Sequence, residues 1–141
     1  MARAQNDNIS HSSYVADVDL SNACALYRFA KAASTQGNVA LASGGSNPGP
    51  IGVFQETASA GQAIGVKSVG HTHLTGRNAG CNLKIGNYIV CASDGVAQSA
   101  SAVGEADGIG WGVWLGPNIT TGCAVGDAFL WGTPACILAR S

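Results

Sequence analysis

Two histidines separated by one residue form the one pattern in this 141-residue chain that suggests metal chemistry. Side chains alternate along a β-strand, so His71 and His73 would point to the same face and could both reach one ion. A third ligand could come from Cys81, from an acidic residue or from another copy of the chain, but no spacing supports any of these. We therefore expect solvated or hydrogen-bonded histidines, with no metal and no other cofactor.

The five cysteines are an odd number, and no two of them form a C-x-x-C pair. They are Cys24, Cys81, Cys91, Cys123 and Cys136. This usage predicts mostly reduced, small, buried residues. One disulfide stays open as an alternative, because a protein that leaves the cell after assembly meets an oxidising medium.

Motifs for covalent or phosphate chemistry are absent from the sequence. No G-x-S-x-G turn presents a nucleophile, and the glycine-rich stretches lack the Lys-Ser/Thr ending of a phosphate-binding loop. The acidic residues mostly stand beside Gly, Ala or turn residues, where carboxylates solvate loops. We predict that the chain is not an enzyme.

Charge is unusually sparse, since charged residues make up 11% of the chain and the formal net charge is -1. The absence of any Lys/Arg run argues against nucleic-acid binding, which needs clustered cations. The sequence MARAQNDNIS at the start has no apolar core, and no stretch of about 18 uninterrupted apolar residues occurs, so we expect neither a signal peptide nor a membrane span. A surface this poor in charge favours attachment to a larger assembly.

The first twenty residues are polar and small, and they predict an extended N-terminal arm over 1–20, followed by a single β domain over 21–141. The sizeable apolar side chains of this arm are candidate interface residues: Ile9, Tyr14, Val15, Val18 and Leu20. A frayed terminus is the alternative, because chain ends are commonly disordered.

The rest of the chain has short apolar runs separated by Gly, Ser, Asn and Pro, which is typical of an all-β fold: a compact barrel or sandwich of short strands. The predicted strands are 26–31, 38–42, 51–55, 63–69, 88–91, 109–115 and 128–131, with a weaker one at 136–139. Asp94-Gly95 predicts a hairpin, because Gly accepts the positive φ of tight turns.

In the segment 108–115, Ile109, Trp111, Val113 and Leu115 share one face of a strand, and glycines lie on the other. A bare glycine face permits close approach of another backbone. We interpret it as the bend of a closed barrel in preference to contact with a neighbouring subunit.

The chain also repeats itself at a spacing of about sixty residues, which predicts two similar half-units, 27–70 and 88–132. The matching segments are 52–54 (GVF) with 112–114 (GVW), 60–66 with 121–127, and Tyr27 with Tyr88.

Four segments in order resemble phage capsid decoration (cement) proteins: PIGVFQ at 50–55, AGQAIGV at 60–66, IGNYIV at 85–90 and DGVA at 94–97. The resemblance extends over about residues 24–141. It implies a β-rich virion protein, made in the host cytoplasm, that sits on the outer surface of an icosahedral head and clamps neighbouring major capsid subunits. It also implies a homo-oligomer, with a trimer favoured over a dimer, and no catalytic residues.

Trp111 and Trp114 are candidate interface anchors, although we favour core packing for both. The five cysteines, the three tryptophans and the longer arm depart from the decoration-protein pattern, and they leave the oligomer number and the docking surface open. Two other functions remain open: a carbohydrate-binding or adhesive module of a phage fibre that uses exposed tryptophans, and a small metal-dependent enzyme built on His71 and His73.

Overall fold

The structure, a computed structural model, is all-β, which confirms the predicted fold class. It describes residues 11–22, 25–44, 49–78, 80–103 and 109–136. The strands in these ranges are β1 His11–Ala16, β2 Phe29–Ala32, β3 Asn38–Leu41, β4 Pro50–Phe54, β5 Ala63–Lys67, β6 Val69–Arg77, β7 Tyr88–Cys91, β8 Ala97–Ser99, β9 Ile109–Gly116 and β10 Cys123–Cys136. A short 3-10 helix, Ala100–Val103, follows β8. Across the described ranges, no helix has the length and hydrophobicity that a bilayer crossing requires.

The strands form two closed barrels that follow each other along the chain. The first has the order β1-β3-β2-β4-β5, and β5 pairs with β1 to close it. The second has the order β6-β8-β7-β9-β10, and β10 pairs with β6. In each barrel the first and third strands are parallel and all other pairs are antiparallel. The two barrels therefore share one topology, which confirms the predicted pair of similar half-units.

Strand register shows which residues of the two barrels are equivalent. The cross-strand pair Phe29–Val53 of the first barrel corresponds to Tyr88–Val113 of the second. The predicted match of 52–54 with 112–114 is therefore correct, whereas the match of Tyr27 with Tyr88 is wrong by two positions. The match of 60–66 with 121–127 is wrong by one position, because Ala63 pairs with β1 as Val125 pairs with β6. The structural unit is also longer than 27–70, since β1 opens the first barrel and the second begins with β6. Hydrogen-bond register decides equivalence in a sheet, and short segments of similar residues can slide against it.

Barrel closure depends on glycine at equivalent positions of β4 and β9. A Cβ added at Gly52 would lie 2.5 Å from the carbonyl oxygen of Lys67 on β5, and one added at Gly112 would overlap the carbonyl oxygen of Phe129 on β10. The neighbouring strand can approach this closely only where no side chain intervenes. Gly112, on the glycine face of the segment 108–115, thus serves barrel closure, as predicted.

Each barrel is filled by one large aromatic side chain at equivalent positions, Phe54 in the first and Trp114 in the second, and both are fully buried. Glycines in the wall make room for the larger ring, because a Cβ at Gly76 would lie 2.7 Å from Trp114 Cη2 and one at Gly126 would lie 2.5 Å from Trp114 Cζ2. The indole Nε1 of Trp114 donates a hydrogen bond to the carbonyl of Pro117 at 2.7 Å. The buried ring therefore leaves no polar atom unsatisfied.

The predicted N-terminal arm is wrong for residues 11–20. His11–Ala16 form β1, which pairs with both β3 and β5. Leu20 is buried and exchanges two backbone hydrogen bonds with Ala58. The error has a physical cause: the interior of so small a barrel accepts a residue such as Ala16, so β1 carries no run of large apolar residues. Residues 1–10, with Ile9, lie outside the described residues.

The Asp94-Gly95 hairpin between β7 and β8 is confirmed. Gly95 has φ 80°, and its amide donates to the carbonyl of Ala92 at 3.0 Å. Several other strands differ from the prediction: β1, most of β6 and β8 were not predicted, and β10 extends over Cys123–Cys136 where only 128–131 was predicted. The predicted strand 63–69 divides at Ser68 into β5 and β6, and the predicted strand 26–31 begins only at Phe29. The weaker strand predicted at 136–139 lies outside the described residues except for Cys136.

Replacement of Gly112 by Ala should destabilise the second barrel, because the added methyl group has no space against β10. We expect the free energy of unfolding to fall by about 1–3 kcal/mol, the usual range for overpacking, as measured by urea denaturation. Cys123→Ala, at an exposed position of β10, is the control and should change stability by less than about 0.5 kcal/mol. A Gly112→Ala protein as stable as the parent would contradict this account of closure.

Candidate functional site

The two histidines of β6 face one carboxylate. His73 Nδ1 lies 2.8 Å from Asp127 Oδ1, and His71 Nε2 lies 3.8 Å from the same oxygen. Asp127 Oδ1 has no well-aligned hydrogen-bond donor, so His73 and Asp127 lie within ion-pair distance but do not form a hydrogen bond of good geometry. Both histidine side chains are more than half exposed. Solvent therefore competes with the carboxylate for these imidazoles.

No group of three or more His, Cys, Asp or Glu suited to a metal ion occurs within the described ranges. Register explains why His71 and His73 reach the same carboxylate: Asp127 is the direct cross-strand partner of His73, and His71 stands two residues along the same strand. The rings of His73 and Tyr27 also meet edge to face, with ring centroids 5.3 Å apart. This contact connects the cluster to the first barrel.

Residues 27–29, which lead into β2 of the first barrel, pack against the second barrel. The carbonyl of Tyr27 accepts a hydrogen bond from the amide of Thr75 on β6 at 2.7 Å. The amide of Phe29 donates to the carbonyl of Gly95 at 2.7 Å. Residues 27–29 thus lie between β6 and the β7–β8 hairpin and hydrogen-bond to the backbone on both sides. We call this segment the wedge.

Tyr27 adopts a left-handed backbone conformation, φ 59°, in order to make this wedge. A non-glycine residue in this region is sterically disfavoured by about 1 kcal/mol or more, so the surrounding contacts must hold it in place. The Thr75 hydrogen bond and the ring contact with His73 do so.

An ion-pair network closes the contact between the barrels at its edge. Arg77 Nη1 donates to Asp94 Oδ2 at 2.7 Å, and both groups belong to the second barrel. Arg28, from the first barrel, donates to the carbonyl of Asp94 at 3.2 Å and lies 3.9 Å from its carboxylate. One carboxylate therefore serves two guanidinium groups from different barrels.

Beneath this network, the apolar pair Phe29–Val53 packs into the core of the second barrel. Phe29 is 1% exposed and Val53 is fully buried, and both belong to one cluster with Leu74, Ile89 and Leu130. Side chains on the outer wall of a barrel normally meet solvent. Here the second barrel covers them, so burial of apolar area holds the two units together.

On the second barrel, the outer wall formed by β7, β9 and β10 carries an apolar face that nothing in the described structure covers. We define this apolar face by Tyr88, Val113, Leu115, Phe129 and Trp131. Val113 is the cross-strand partner of both Tyr88 and Phe129, and the rings of Tyr88 and Trp131 meet edge to face at 5.5 Å. Tyr88, Leu115 and Phe129 are among the exposed large hydrophobic residues of the chain. A contiguous patch of this kind is typical of a protein-binding surface.

The two tryptophans predicted as anchors have different environments. Trp114 is buried at the centre of the second barrel, so it cannot contact a partner or present a platform to a sugar. Trp111 is half-buried and packs against the core cluster, where it lines a groove of about 300 Å³ between the barrels together with Phe29, Ile51 and Leu130. The preference for core packing is thus correct for Trp114.

The candidate interface residues near the N-terminus differ in their exposure to solvent. Val15 and Val18 are exposed, Tyr14 is half-buried against the first core, and Leu20 is buried and therefore not available to a partner. Tyr88 and Phe129 were not predicted as site residues. The sequence signal for this face was the alternation of β9, whose outward positions carry Ile109, Trp111, Val113 and Leu115. Tyr88 and Phe129 join the face only through the pairing of β7 and β10 with β9.

Among the described side chains, Cys81, Cys91 and Cys123 are free thiols. Cys91 is buried as predicted, Cys81 is half-buried, and the prediction of a buried residue is wrong for the exposed Cys123. Cys24 and the side chain of Cys136 lie outside the described residues. Burial raises the pKa of Cys91 to about 12, with a smaller contribution from the negative charge of Asp94. Cys123 lies at the exposed start of β10. The two thiols therefore differ strongly in their expected reactivity.

No family model matches the sequence, and no curated protein matches it. Among solved structures, the chain is similar in fold to the N base of head fiber gp8.5 in bacteriophage phi29, with a TM-score of 0.58 and 13% sequence identity. The alignment covers 89% of this chain and 96% of that chain. Nearly the whole of each chain is thus included.

Asp94→Asn should weaken the contact between the barrels, because it leaves Arg28 and Arg77 beside each other without their shared carboxylate. The side chain is 42% exposed, so solvent screens the interaction and we expect a loss of about 1 kcal/mol in urea denaturation. Asp127→Asn is the matched control, because its side chain is similarly exposed and it lies beside two exposed histidines of its own barrel and, among the described residues, no guanidinium group. Equal effects of the two substitutions would contradict the role of Asp94.

Cys91 should resist alkylation in the folded protein while Cys123 reacts. With a pKa of about 12, the reactive thiolate of Cys91 is on the order of one in 10⁴ molecules at pH 8. Peptide mass spectrometry after timed exposure to iodoacetamide follows each cysteine separately, and unfolding in guanidinium should equalise their rates. Modification of Cys91 at the rate of Cys123 in the folded protein would show that the hairpin is not packed as described.

Proposed function

We propose that this chain is a structural protein of a bacteriophage virion that binds the outer surface of the head as a decoration protein. The observation that carries this proposal is the fold likeness to the phi29 head fiber base, which covers nearly all of both chains. The likeness thus extends over both barrels of this chain. Fold alone does not determine function, so the proposal also needs the features of this chain's own sequence and surface.

Three of these features favour a binding role. The segments at 50–55, 60–66, 85–90 and 94–97 resemble decoration proteins in both order and content. Charged residues are only 11% of the chain. The apolar face is exposed on the second barrel. A protein that spends its working life in an assembly can carry such a surface.

The proposed partner is the major capsid protein, and the proposed action is binding without chemistry. A decoration protein that contacts neighbouring subunits at several points holds them by multivalent attachment, since each contact raises the effective concentration of the next. Such a clip would resist the outward load of a packed genome.

Within the described residues both barrels are closed, so neither barrel has an edge strand that is free to pair with the shell. Backbone pairing with a capsid subunit would therefore come from residues outside the barrels. We propose that residues 1–10, which precede β1 and include Ile9, contribute to attachment to the shell.

Removal of residues 1–10 should leave both barrels folded, because β1 begins at His11, and should weaken attachment to the shell by at least tenfold. Cosedimentation with phage heads that lack the protein measures the apparent Kd of the intact and shortened chains. Far-ultraviolet circular dichroism and thermal unfolding control for the fold.

Equal affinity of the shortened chain for heads would contradict the role of residues 1–10 and leave the decoration function in place. No binding of the intact chain to heads would contradict the decoration function itself. Retention of the isolated chain on a glycan array, together with no binding to heads, would favour the adhesive fibre module instead.

A further inference from the structure

The same apolar pair is covered in one barrel and exposed in the other. Phe29–Val53 and Tyr88–Val113 are the equivalent cross-strand pairs on the outer walls of the two barrels. Phe29 is 1% exposed because the second barrel packs on it, whereas Tyr88 is 51% exposed. The chain therefore contains both a filled and an unfilled version of one docking surface.

The opposite half of this docking surface is also duplicated. In the second barrel, Thr75 and Gly95 receive the wedge, and Thr75 is 8% exposed. Their equivalents by register in the first barrel are Val15 and Gly37. Val15 is 37% exposed, and a Cβ added at Gly37 would meet nothing within 4 Å. The first barrel thus carries an unfilled receiving surface at the position where the second carries a filled one.

We propose that a second copy of this chain fills both surfaces, so that the Tyr88–Val113 pair of one copy docks against the Val15–Gly37 surface of the next. The occupant follows from the contact within the chain: a barrel of this topology is what covers such a pair at Phe29–Val53. This self-association goes beyond the proposed attachment to phage heads and does not depend on it.

The backbone that precedes Tyr88 already has the conformation that docking requires. Gly86 has φ 90° at the position equivalent to Tyr27, whose φ is 59°. The shared hydrogen bonds confirm the equivalence: the amide of Trp114 donates to the carbonyl of Asn87, as the amide of Phe54 does to that of Arg28. The second wedge is therefore preorganised, and little conformational entropy is lost when it docks.

The receiving surface of the first barrel is closed by one hydrogen bond, from the amide of Val15 to the carbonyl of Gly37 at 3.1 Å. In the second barrel the equivalent groups of Thr75 and Gly95 bind Tyr27 and Phe29 instead. When a second copy docks, two hydrogen bonds between the copies replace the Val15–Gly37 bond. The amide of Val15 then donates to the carbonyl of Gly86, and the carbonyl of Gly37 accepts from the amide of Tyr88.

The polar residues at the edge of the contact between barrels differ from those at the edge of the proposed contact between copies. Arg28 and Asp94 pair between the barrels of one chain, and the equivalent positions carry Asn87 and Gln36. Two amide side chains can hydrogen-bond without burial of a charge, which suits a contact between copies of a protein with a net charge of -1. Because the two docking surfaces differ, the contact is head to tail and generates a ring or an open chain.

Two charge substitutions test this arrangement by sedimentation velocity over a concentration series. Tyr88→Glu alters only the entering surface and Val15→Glu only the receiving surface, so each variant alone should sediment as a single chain of 14.1 kDa. The parent protein should be larger. An equimolar mixture of the two variants should form a dimer and nothing larger, because one intact surface of each kind remains.

Val125→Glu is the matched control. Val125 is 52% exposed on the same barrel, and its equivalent, Ala63, is exposed in the first barrel rather than covered. It should associate as the parent does. If a glutamate variant fails to fold, as judged by circular dichroism, Tyr88→Ser and Val15→Ser replace the pair.

Each of three results would overturn the inference. A parent protein that stays a single chain at every concentration has no such contact. Loss of association in Tyr88→Glu but not in Val15→Glu would show a contact between two like faces. Dissociation by Val125→Glu would place the contact elsewhere on the second barrel.

Discussion

Burial of the Phe29–Val53 pair beneath the second barrel is the interaction on which the rest of this structure depends. The pair lies on the outside of its own barrel, and it becomes core only because the other barrel packs over it. That packing fixes the wedge between β6 and the β7–β8 hairpin and brings Arg28 to Asp94. A single apolar contact thereby determines how two units of one topology combine, and it leaves the matching pair on the second barrel exposed.

The duplicated barrels have diverged where their environments differ. The aromatic at the barrel centre is Phe54 in one unit and Trp114 in the other, and Gly76 and Gly126 accommodate the larger ring. The left-handed residue before the second strand is Tyr27 where a contact holds it and Gly86 where none does. Glycine takes this conformation at little cost, whereas tyrosine needs the Thr75 and His73 contacts to maintain it.

Much of the fold was predictable from the sequence, because β3 and β7 are short apolar runs bounded by turn residues and β9 places large apolar residues at alternate positions. β1 and β6 were not predicted, since inward positions of a narrow barrel suit residues as small as Ala16 and Gly76, and no alternation of large side chains results. The candidate site was predicted only in part. The spacing of apolar residues in β9 predicted its outward face. Tyr88 and Phe29 occupy equivalent strand positions, so the sequence could not show which of them is covered; that depends on how the two barrels pack.

We propose that this pair of barrels is a structural part of a phage particle. Cryo-electron microscopy of the virion that encodes the chain tests it most directly. The account predicts density for tandem five-stranded barrels on the outer surface of the head, in contact with more than one capsid subunit. A particle map at side-chain resolution in which no such barrels occur, from virions of a phage that expresses the chain, would contradict it.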